Sequence, residues 1–195
     1  MRLFVAVNFP ASVRKALANL ASELSRAELP VRWTPEPNFH LTLRWLGNQD
    51  AAAADLMTRV LVETAADAEP FEAGFGAVGA FPSPRRPRVI WIAVDAGPRL
   101  RLLRDQLERR LAAEGFGRDE RSFRPPVTLG RARRAARPGA FRAFVAVSGS
   151  LRIDRSVPVQ SIDLMRSHTE PEGARYERLA RAVLGAGLPG EEAEA

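Results

Sequence analysis

The segment FHLTLRWLG, at residues 39–47, carries a histidine and a hydroxyl at a spacing suited to acid–base chemistry. Polar and apolar residues alternate along it with a period of two, which is typical of a strand with one buried face. We therefore expect His40, Thr42 and Arg44 to share one face of this strand. The opposite face, packed into the core, is predicted to hold Phe39, Leu41, Leu43 and Trp45.

The same spacing returns in the segment FRPPVTLGR, at residues 123–131, with one change. Pro126 stands where the first segment has its histidine, and Thr128 stands where the first segment has its threonine. Arg131 follows Leu129 by two residues, and its spacing from the threonine predicts that it points into the same cleft. The sequence thus contains one complete H-x-T-L motif and one that lacks the titratable group.

Two such strands lining one cleft would suit hydrolysis of a phosphodiester without a metal ion. A neutral histidine can take a proton from water while a protonated one gives a proton to the leaving oxygen, and an unperturbed pKa of about 6.5 permits either role. Threonine hydroxyls and Arg131 would hold the non-bridging oxygens and stabilise charge on phosphorus. A single H-x-T-L is a weak motif, because a strand histidine is more often structural. Its repetition favours a catalytic interpretation.

Proline at position 126 cannot replace a histidine, because it carries no titratable group. Loss of a general base typically costs ~10²–10⁴-fold in rate, and a proline inside a central strand also removes a ladder donor. The other histidine, His168 in RSHTEPEGARY, is predicted to lie in a loop and is not expected to supply the missing base. Three explanations stay open: an altered copy of an active enzyme, a natural homologue that lost most turnover, or a slow enzyme using one histidine, water and arginine.

The elements that must position these motifs can be read from periodicity and turn residues. Helices are predicted over residues 11–28, 51–67, 98–114 and 138–146, and strands over 3–9, 39–46, 70–78, 88–94, 126–132, 149–154, 157–166 and 174–182. Strand, helix, motif strand and helix occur twice in loose form without a linker. This order predicts an α+β protein with two related lobes.

The composition limits the possible partners. The chain has no cysteine, which excludes disulfides, zinc thiolates and a cysteine redox centre. The formal net charge is +6, and Lys15 is the only lysine among 29 basic residues. Arginine binds phosphate in a bidentate manner and so favours an anionic partner such as RNA, although a GC-rich genome would give the same composition. No apolar run is long enough to cross a bilayer, and we expect a cytoplasmic protein without a membrane partner.

The sequence resembles the RNA 2′,3′-cyclic phosphodiesterases of the two-histidine phosphoesterase superfamily, once called 2′-5′ RNA ligases. The similarity is carried by MRLFVAV, FHLTLRWLG, GAFPSPRRPRVIWIAV, FRPPVTLGRAR and LMRSHTEPEGARYERL. It implies two pseudo-symmetric lobes of antiparallel sheet with outer helices and a central concave cleft. Residues 1–184 would form this single two-lobed phosphoesterase domain, and residues 185–195 a disordered acidic tail.

The resemblance also implies an activity and a set of roles. The activity is hydrolysis of the 2′,3′-cyclic phosphate at an RNA end to a 2′-phosphate, by a monomer with no cofactor and no metal. His40 would be the proton donor, Thr42 and Thr128 would bind phosphate, and Arg131 matches the arginine of the family motif. Pro126 occupies the position of the second histidine, the proton acceptor, so the activity is expected to be impaired.

Other activities stay open or are disfavoured. A non-catalytic RNA-end binder and reverse 2′-5′ ligation as a side activity remain alternatives. An ATP-dependent ligase is disfavoured because Lys15, in VRKAL, lacks a K-x-D-G context. A metal phosphodiesterase is disfavoured because two histidines and no cysteine leave too few ligands.

Several residues outside the motifs are candidates for contacts with RNA. Trp33 and Phe81 fall in predicted loops and could stack on a terminal base, whereas Trp91, like Trp45, is predicted to belong to the core. The arginines that could follow an RNA backbone are Arg85, Arg86, Arg88, Arg131, Arg133, Arg134 and Arg137.

Overall fold

The computed structural model describes residues 1–117, 119, 126–133, 136–137, 139–170 and 173–187. The predicted position of Arg134 and most of the predicted tail, residues 188–195, lie outside these ranges. The helices are α1 (Ala11–Ser25), α2 (Ala51–Ala66), α3 (Gly97–Ala113) and α4 (Arg142–Ser148), with a short 3₁₀ turn at Glu36–Asn38. The strands are β1 (Arg2–Asn8), β2 (Val31–Trp33), β3 (His40–Asn48), β4 (Phe71–Phe81), β5 (Val89–Asp95), β6 (Pro126–Ala132), β7 (Val157–Val159), β8 (Ser161–Glu170) and β9 (Gly173–Val183).

The strands form two antiparallel sheets, and the predicted α+β class is confirmed. One sheet has the order β3-β1-β8-β9 and the other the order β2-β6-β5-β4-β7. The two motif strands lie in different sheets, and β3 contacts β6 where the sheets approach each other. Helix α2 packs against β8 and β9, while α1 packs against β2 and β6. Each motif is therefore held by its own sheet and faces the other.

Hydrophobic burial explains why these segments form elements. The interior of β1 is buried along its whole length, as its unbroken apolar run predicts. Helix α1 buries one stripe of leucines spaced three and four residues apart, which includes Leu17, Leu20 and Leu24. Helix α3 ends before Gly115, whose φ of +86° is the left-handed conformation that glycine adopts readily at a helix end. No helix in the described ranges is long and apolar enough to span a membrane.

The C-terminal strands differ from their prediction. Residues 151–156 have no regular structure, so the strand predicted at 149–154 is wrong. The strand predicted at 157–166 is two strands, β7 and β8, separated by Gln160. The break arises because β7 pairs with β4 in one sheet whereas β8 pairs with β1 in the other. A periodicity argument sees one apolar run here and cannot see that it changes sheet.

Candidate active site

The first motif strand, β3, does not keep the alternation that its sequence predicts. It pairs with β1 so that Val5 is opposite Arg44 and Ala6 is opposite Thr42, which leaves Leu43 without a partner. One unpaired residue is a β-bulge, and it reverses which face the following side chains occupy. The reversal places Trp45 at the cleft.

The second motif strand, β6, has a bulge at the equivalent residue. In its pairing with β5, Ile90 is opposite Gly130 and Trp91 is opposite Thr128, so Leu129 is unpaired. Arg131 was expected to point into the cleft, although strict alternation from Thr128 would point position 130 into the cleft and position 131 into the core. The bulge instead leaves Gly130 buried and turns Arg131 to the cleft.

The two strands meet at a pocket of about 160 Å³. All five residues singled out in the motifs line it, and the structure adds four neighbours that the sequence analysis did not assign to the site. The motif residues are His40, Thr42, Pro126, Thr128 and Arg131, and the added residues are Thr34, Asn38, Trp45 and Tyr176. The chemical roles of these residues stay predictions, and the pocket supplies the geometry in which they can be judged.

The imidazole of His40 is held by two hydrogen bonds. Its Nδ1 lies 2.8 Å from the carbonyl oxygen of Asn38, and a carbonyl can only accept, so Nδ1 carries a proton. Its Nε2 lies 3.1 Å from the hydroxyl of Thr42. In the neutral ring Nε2 therefore accepts from this hydroxyl, and in the charged ring Nε2 carries the proton available to a bound molecule.

Aromatic side chains surround this imidazole. The ring centres of Phe4 and Tyr176 each lie 4.9 Å from that of His40, and Tyr176 approaches edge-on. Burial lowers the pKa of His40 below its usual value, and the hydrogen bond from Nδ1 to Asn38 offsets this only in part. Burial in the folded chain therefore favours the neutral imidazole at neutral pH.

Tyr176 and Trp45 are the clearest omissions of the sequence analysis. Burial raises the pKa of Tyr176, while the positive charges of Arg131 and Arg2 oppose the rise. This keeps the phenol protonated and able to donate to an anion. Trp45 was predicted in the core but is 38% exposed, stacked on Phe4. The sequence carried only a weak signal for Tyr176, because this residue lies on β9 and is brought to the pocket by the order of the strands in the sheet.

Arg44 was predicted to share the cleft face with His40, and that prediction is wrong. The bulge turns Arg44 away from the cleft, and it is only 8% exposed. Its guanidinium lies 3.3 Å from the carboxylate of Glu108 on α3 and 3.8 Å from that of Asp119. A buried guanidinium needs such partners, so Arg44 joins β3 to α3 instead of facing a ligand.

A short segment before β3 contacts both motif strands. The backbone N–H of Thr34 donates to the carbonyl of Leu129 at 2.9 Å, and its hydroxyl donates to the carbonyl of Thr128 at 3.0 Å. Asn38 accepts from the imidazole of His40 and donates from its side-chain amide to the carbonyl of Ala174 at 2.7 Å. Residues 34–38 thus join β6, β3 and β9 at the rim of the pocket.

Pro126 is the first residue of β6 and is exposed at the pocket. It is opposite Ala93 of β5, whereas β2 pairs with β6 only at residues 130–132. The first residue of a strand is one of the positions where a proline is tolerated. The cost predicted for a proline inside a central strand therefore does not arise at this position.

His168 does not line the pocket. It lies on β8 and not in a loop as predicted, and its Nε2 is 2.7 Å from the carboxylate of Glu177. Strand alternation places it on the sheet face of Ile162 and Leu164, whereas Ser167, opposite Tyr176, points to the other face. An imidazole on the opposite face of this sheet cannot replace the one missing at position 126.

Three further aromatic residues were assigned from the sequence. Trp91 was predicted in the core but is only half-buried. Ile90 and Ile92 occupy the buried face of β5, so Trp91 between them lies on the other face, opposite Thr128. Trp33 lies over Gly130, where an added Cβ would come within 2.9 Å of the indole. Phe81 is 63% exposed. Both were predicted in loops, and that placement is wrong, because Trp33 ends β2 and Phe81 ends β4. The stacking role suggested for them stays a prediction.

Among the described residues, no three histidine, cysteine, aspartate or glutamate side chains lie together at metal-ligand spacing. The pocket offers instead an imidazole, two threonine hydroxyls, a phenol and a guanidinium. These are hydrogen-bond donors to an anion, with one titratable nitrogen among them.

Fold and pocket together define a class of α+β protein in which two antiparallel sheets bring two strands, one with an H-x-T motif and one with P-x-T at the same spacing, to one pocket lined by hydrogen-bond donors. The sequence model of the 2′-5′ RNA ligase superfamily matches residues 9–171. The chain belongs to this superfamily.

Comparison with individual proteins agrees with this placement. The chain is 34% identical over 165 residues to an RNA 2′,3′-cyclic phosphodiesterase of Aeropyrum pernix, which covers 84% of this chain and 92% of the relative. It is 32% identical over 193 residues to the protein of that name from Thermus thermophilus, covering 94% and 90%. Among solved structures, TT0787 of Thermus thermophilus superposes with a TM-score of 0.79 at 28% identity, over 97% of this chain and 100% of that one.

Proposed function

We propose that the chain hydrolyses the 2′,3′-cyclic phosphate at RNA ends to a 2′-phosphate by metal-free acid–base chemistry, at a reduced rate. One observation carries the proposal: His40, Thr42, Thr128 and Arg131 line one small pocket although they come from two sheets. The relatives described above, which are named RNA 2′,3′-cyclic phosphodiesterases, support the same reaction. The proposal extends to a cytoplasmic monomer with residues 1–184 as one domain.

Phosphate binding falls to three side chains in this proposal. Thr42 and Thr128 donate hydroxyl hydrogen bonds to the non-bridging oxygens, and Arg131 supplies the positive charge. The charge on these oxygens grows as water attacks phosphorus, so donors already in place favour the transition state over the substrate.

His40 acts as the general acid. A bound phosphate anion favours the charged imidazole and so opposes the effect of burial on the pKa of His40. The proton enters at Nε2, because Nδ1 is already protonated and held by Asn38. In the reaction a water oxygen bonds to phosphorus, the bond to the 3′ oxygen breaks, and Nε2 gives its proton to that oxygen.

Pro126 explains the reduced rate. The attacking water must lose a proton, and neither this proline nor His168 can accept it at the pocket. Solvent then receives the proton, which forfeits ~10²–10⁴-fold in rate. Reverse 2′-5′ ligation would pass through the same pocket and would be slowed equally. A specific alternative follows from the same residue: the chain binds RNA ends without appreciable turnover.

The test compares the chain with its Pro126→His variant on an oligonucleotide that ends in a 2′,3′-cyclic phosphate. Restored histidine is expected to raise the hydrolysis rate by ~10²–10⁴-fold, with 2′-phosphate as the product. The matched control is Pro126→Gln, which supplies a polar side chain that cannot act as a base. Equal rates in the chain and the histidine variant would refute the account of a lost base. Binding of the RNA end without hydrolysis by either protein would favour the alternative.

A further inference from the structure

A second cavity shares one lining residue, Arg131, with the candidate pocket. The candidate pocket, at about 160 Å³, is small beside the 300–1,000 Å³ of typical ligand sites. Arg131 also lines a cavity of about 820 Å³. We call this larger space the basic cavity, because the charged residues that line it are Arg85, Arg86, Arg88, Arg131, Arg133 and Arg137.

The charge of the basic cavity is of one sign. No aspartate or glutamate is among its described lining residues, although the chain has 23 acidic residues. Within the described ranges, none of the six guanidinium groups makes an ion pair; the arginines that do so are elsewhere, such as Arg44 and Arg110. Six uncompensated cations around one concave space repel one another. A space of this kind favours a polyanion, which both neutralises the charge and releases counterions.

Backbone hydrogen bonds hold the cavity walls together. Arg88, at the end of the β4–β5 connection, donates to the carbonyl of Phe81 at 2.6 Å and accepts from Ala132 at 3.1 Å. Arg133 donates to the carbonyl of Pro30 at 2.8 Å. In the β5–β6 ladder Val89 lies opposite Arg131. Arg88, Arg131 and Arg133 therefore extend from a backbone that is held by hydrogen bonds, so binding does not have to order these three residues.

We infer that the basic cavity binds the phosphodiester backbone of the nucleotides that precede the RNA end held in the candidate pocket. Arg131, which lines both spaces, contacts the terminal phosphate and marks the point where the strand passes from one to the other. The inference rests on the proposed function, because the direction of the strand is set by the cyclic end. It assigns to the chain a substrate class: single-stranded RNA of several nucleotides, in preference to mononucleotides and dinucleotides.

The lining also indicates how the RNA is recognised. The charged side chains of its described lining are all guanidinium groups, the other residues are mostly small, such as Ala132 and Ala136, and the one aromatic ring among them, Phe141, is only 4% exposed. Such a surface contacts phosphates and not base faces, and phosphate contacts carry no sequence information. Binding in the basic cavity is thus expected to depend on RNA length and salt, with no preference for base sequence.

The test measures equilibrium binding of two labelled RNAs that end in a 3′-phosphate, a dinucleotide and a ten-nucleotide strand, as a function of salt. The first variant replaces Arg85, Arg86 and Arg88 by glutamine. The matched control also replaces three arginines by glutamine and so removes the same net charge. These are Arg59, Arg101 and Arg109, which are exposed on α2 and α3.

The cavity variant is expected to lose on the order of tenfold in affinity for the ten-nucleotide strand at low salt. Its salt slope should fall by about two, since each single-strand phosphate contact contributes about 0.7. The ratio of ten-nucleotide to dinucleotide affinity should fall with it, while the control variant changes that ratio less than twofold. Equal losses in both variants, or equal losses for both RNAs, would overturn the inference.

A second measurement separates this inference from the proposed function. Turnover of cyclic-phosphate dinucleotide and ten-nucleotide substrates is compared in the Pro126→His background. If neither RNA is hydrolysed, the proposed function fails while the binding data still decide the role of the cavity. If both are hydrolysed with equal kcat/KM, the proposed function stands and the inference about the cavity fails.

Discussion

The two motif strands share a bulge at the same position of the motif but carry different side chains around it. β3 and β6 each bulge at the leucine after the motif threonine, and each thereby turns the residue three after the threonine into the pocket. That residue is Trp45 in one strand and Arg131 in the other. The comparison teaches that the shape of the pocket is set by the bulges and not by the histidine position. The pocket therefore forms with Pro126 at the start of one strand.

The same comparison shows an unequal distribution of chemistry. The first strand supplies the titratable imidazole and an indole, whereas the second supplies the guanidinium and no base. The residue two after the threonine differs as well: Arg44 is buried against α3, and Gly130 lies beneath Trp33. In the proposed reaction, proton transfer thus falls to one sheet and charge neutralisation to the other.

The largest effect on the hydrolysis rate is expected when His40 is removed, with and without a histidine at position 126. In the Pro126→His background, His40→Ala should lower the rate of cyclic-phosphate hydrolysis by ~10²–10⁴-fold, because the leaving oxygen loses its acid. In the unaltered chain the same substitution should lower the rate by a smaller factor, since the effects of residues that act as a unit are not additive. Single-turnover kinetics on all four combinations measure the coupling. Strictly additive losses would show that the two positions do not cooperate.

The next comparison sets Arg131 against Trp45. Arg131→Gln in the Pro126→His background is expected to cost ~10²–10³-fold in kcat, because a donor to the developing charge is lost. Trp45→Phe removes no charge and should change kcat by less than about tenfold. The assay is the same hydrolysis measured at saturating RNA. A larger loss for the tryptophan variant would contradict the assignment of charge neutralisation to the second strand.

A third comparison tests the residues that the bulges turn inward. Arg44→Ala is expected to lower the free energy of unfolding by about 3 kcal/mol, because it leaves buried carboxylates without one of their cations. Gly130→Ala should cost about 1–3 kcal/mol by overpacking, since its Cβ would lie 2.6 Å from Val31 and 2.9 Å from Trp33. Urea midpoints measure both. Unchanged midpoints in both variants would mean that neither bulge is held by these contacts.

The smallest effect concerns pH. Burial lowers the pKa of His40 in the folded chain below its unfolded value of about 6.5. The unfolded chain therefore binds the proton more readily, and stability falls as the pH drops below about 6.5 until the folded pKa is passed. The His40→Gln variant should lose less stability than the unaltered chain between pH 7 and pH 5. Parallel curves of unfolding free energy against pH would contradict this.

Much of this arrangement could be predicted from the sequence. The alternation around His40 and the second spacing at Thr128 located both motif strands, because period-two burial is a local property. The bulges were not predictable in the same way. Each is a single unpaired leucine whose side chain is still buried, so nothing in the sequence marks it, and this is why the positions of Trp45 and Arg44 were predicted incorrectly.

Residues brought in by sheet order were also beyond local reasoning. Tyr176 reaches the pocket because β9 pairs with β8 and β8 pairs with β1. His168 was predicted in a loop because the polar run around it resembles one, yet ten backbone pairs extend β8 and β9 through it. The placement of Tyr176 depends on pairing with β1, which is distant in the chain and which a single sequence does not reveal, whereas His168 belongs to a hairpin with the adjacent β9.

The hydrogen bonds of Thr34 and Asn38 have a consequence for the size of molecule that fits. One residue is tied to the carbonyls of β6 and the other to the imidazole on β3, and only three residues separate them along the chain. The length of this connection therefore sets the distance between β3 and β6 at the pocket. Inserting a residue there would widen the gap and loosen the grip on a small cyclic diester, even though every side chain that touches the ligand was left intact.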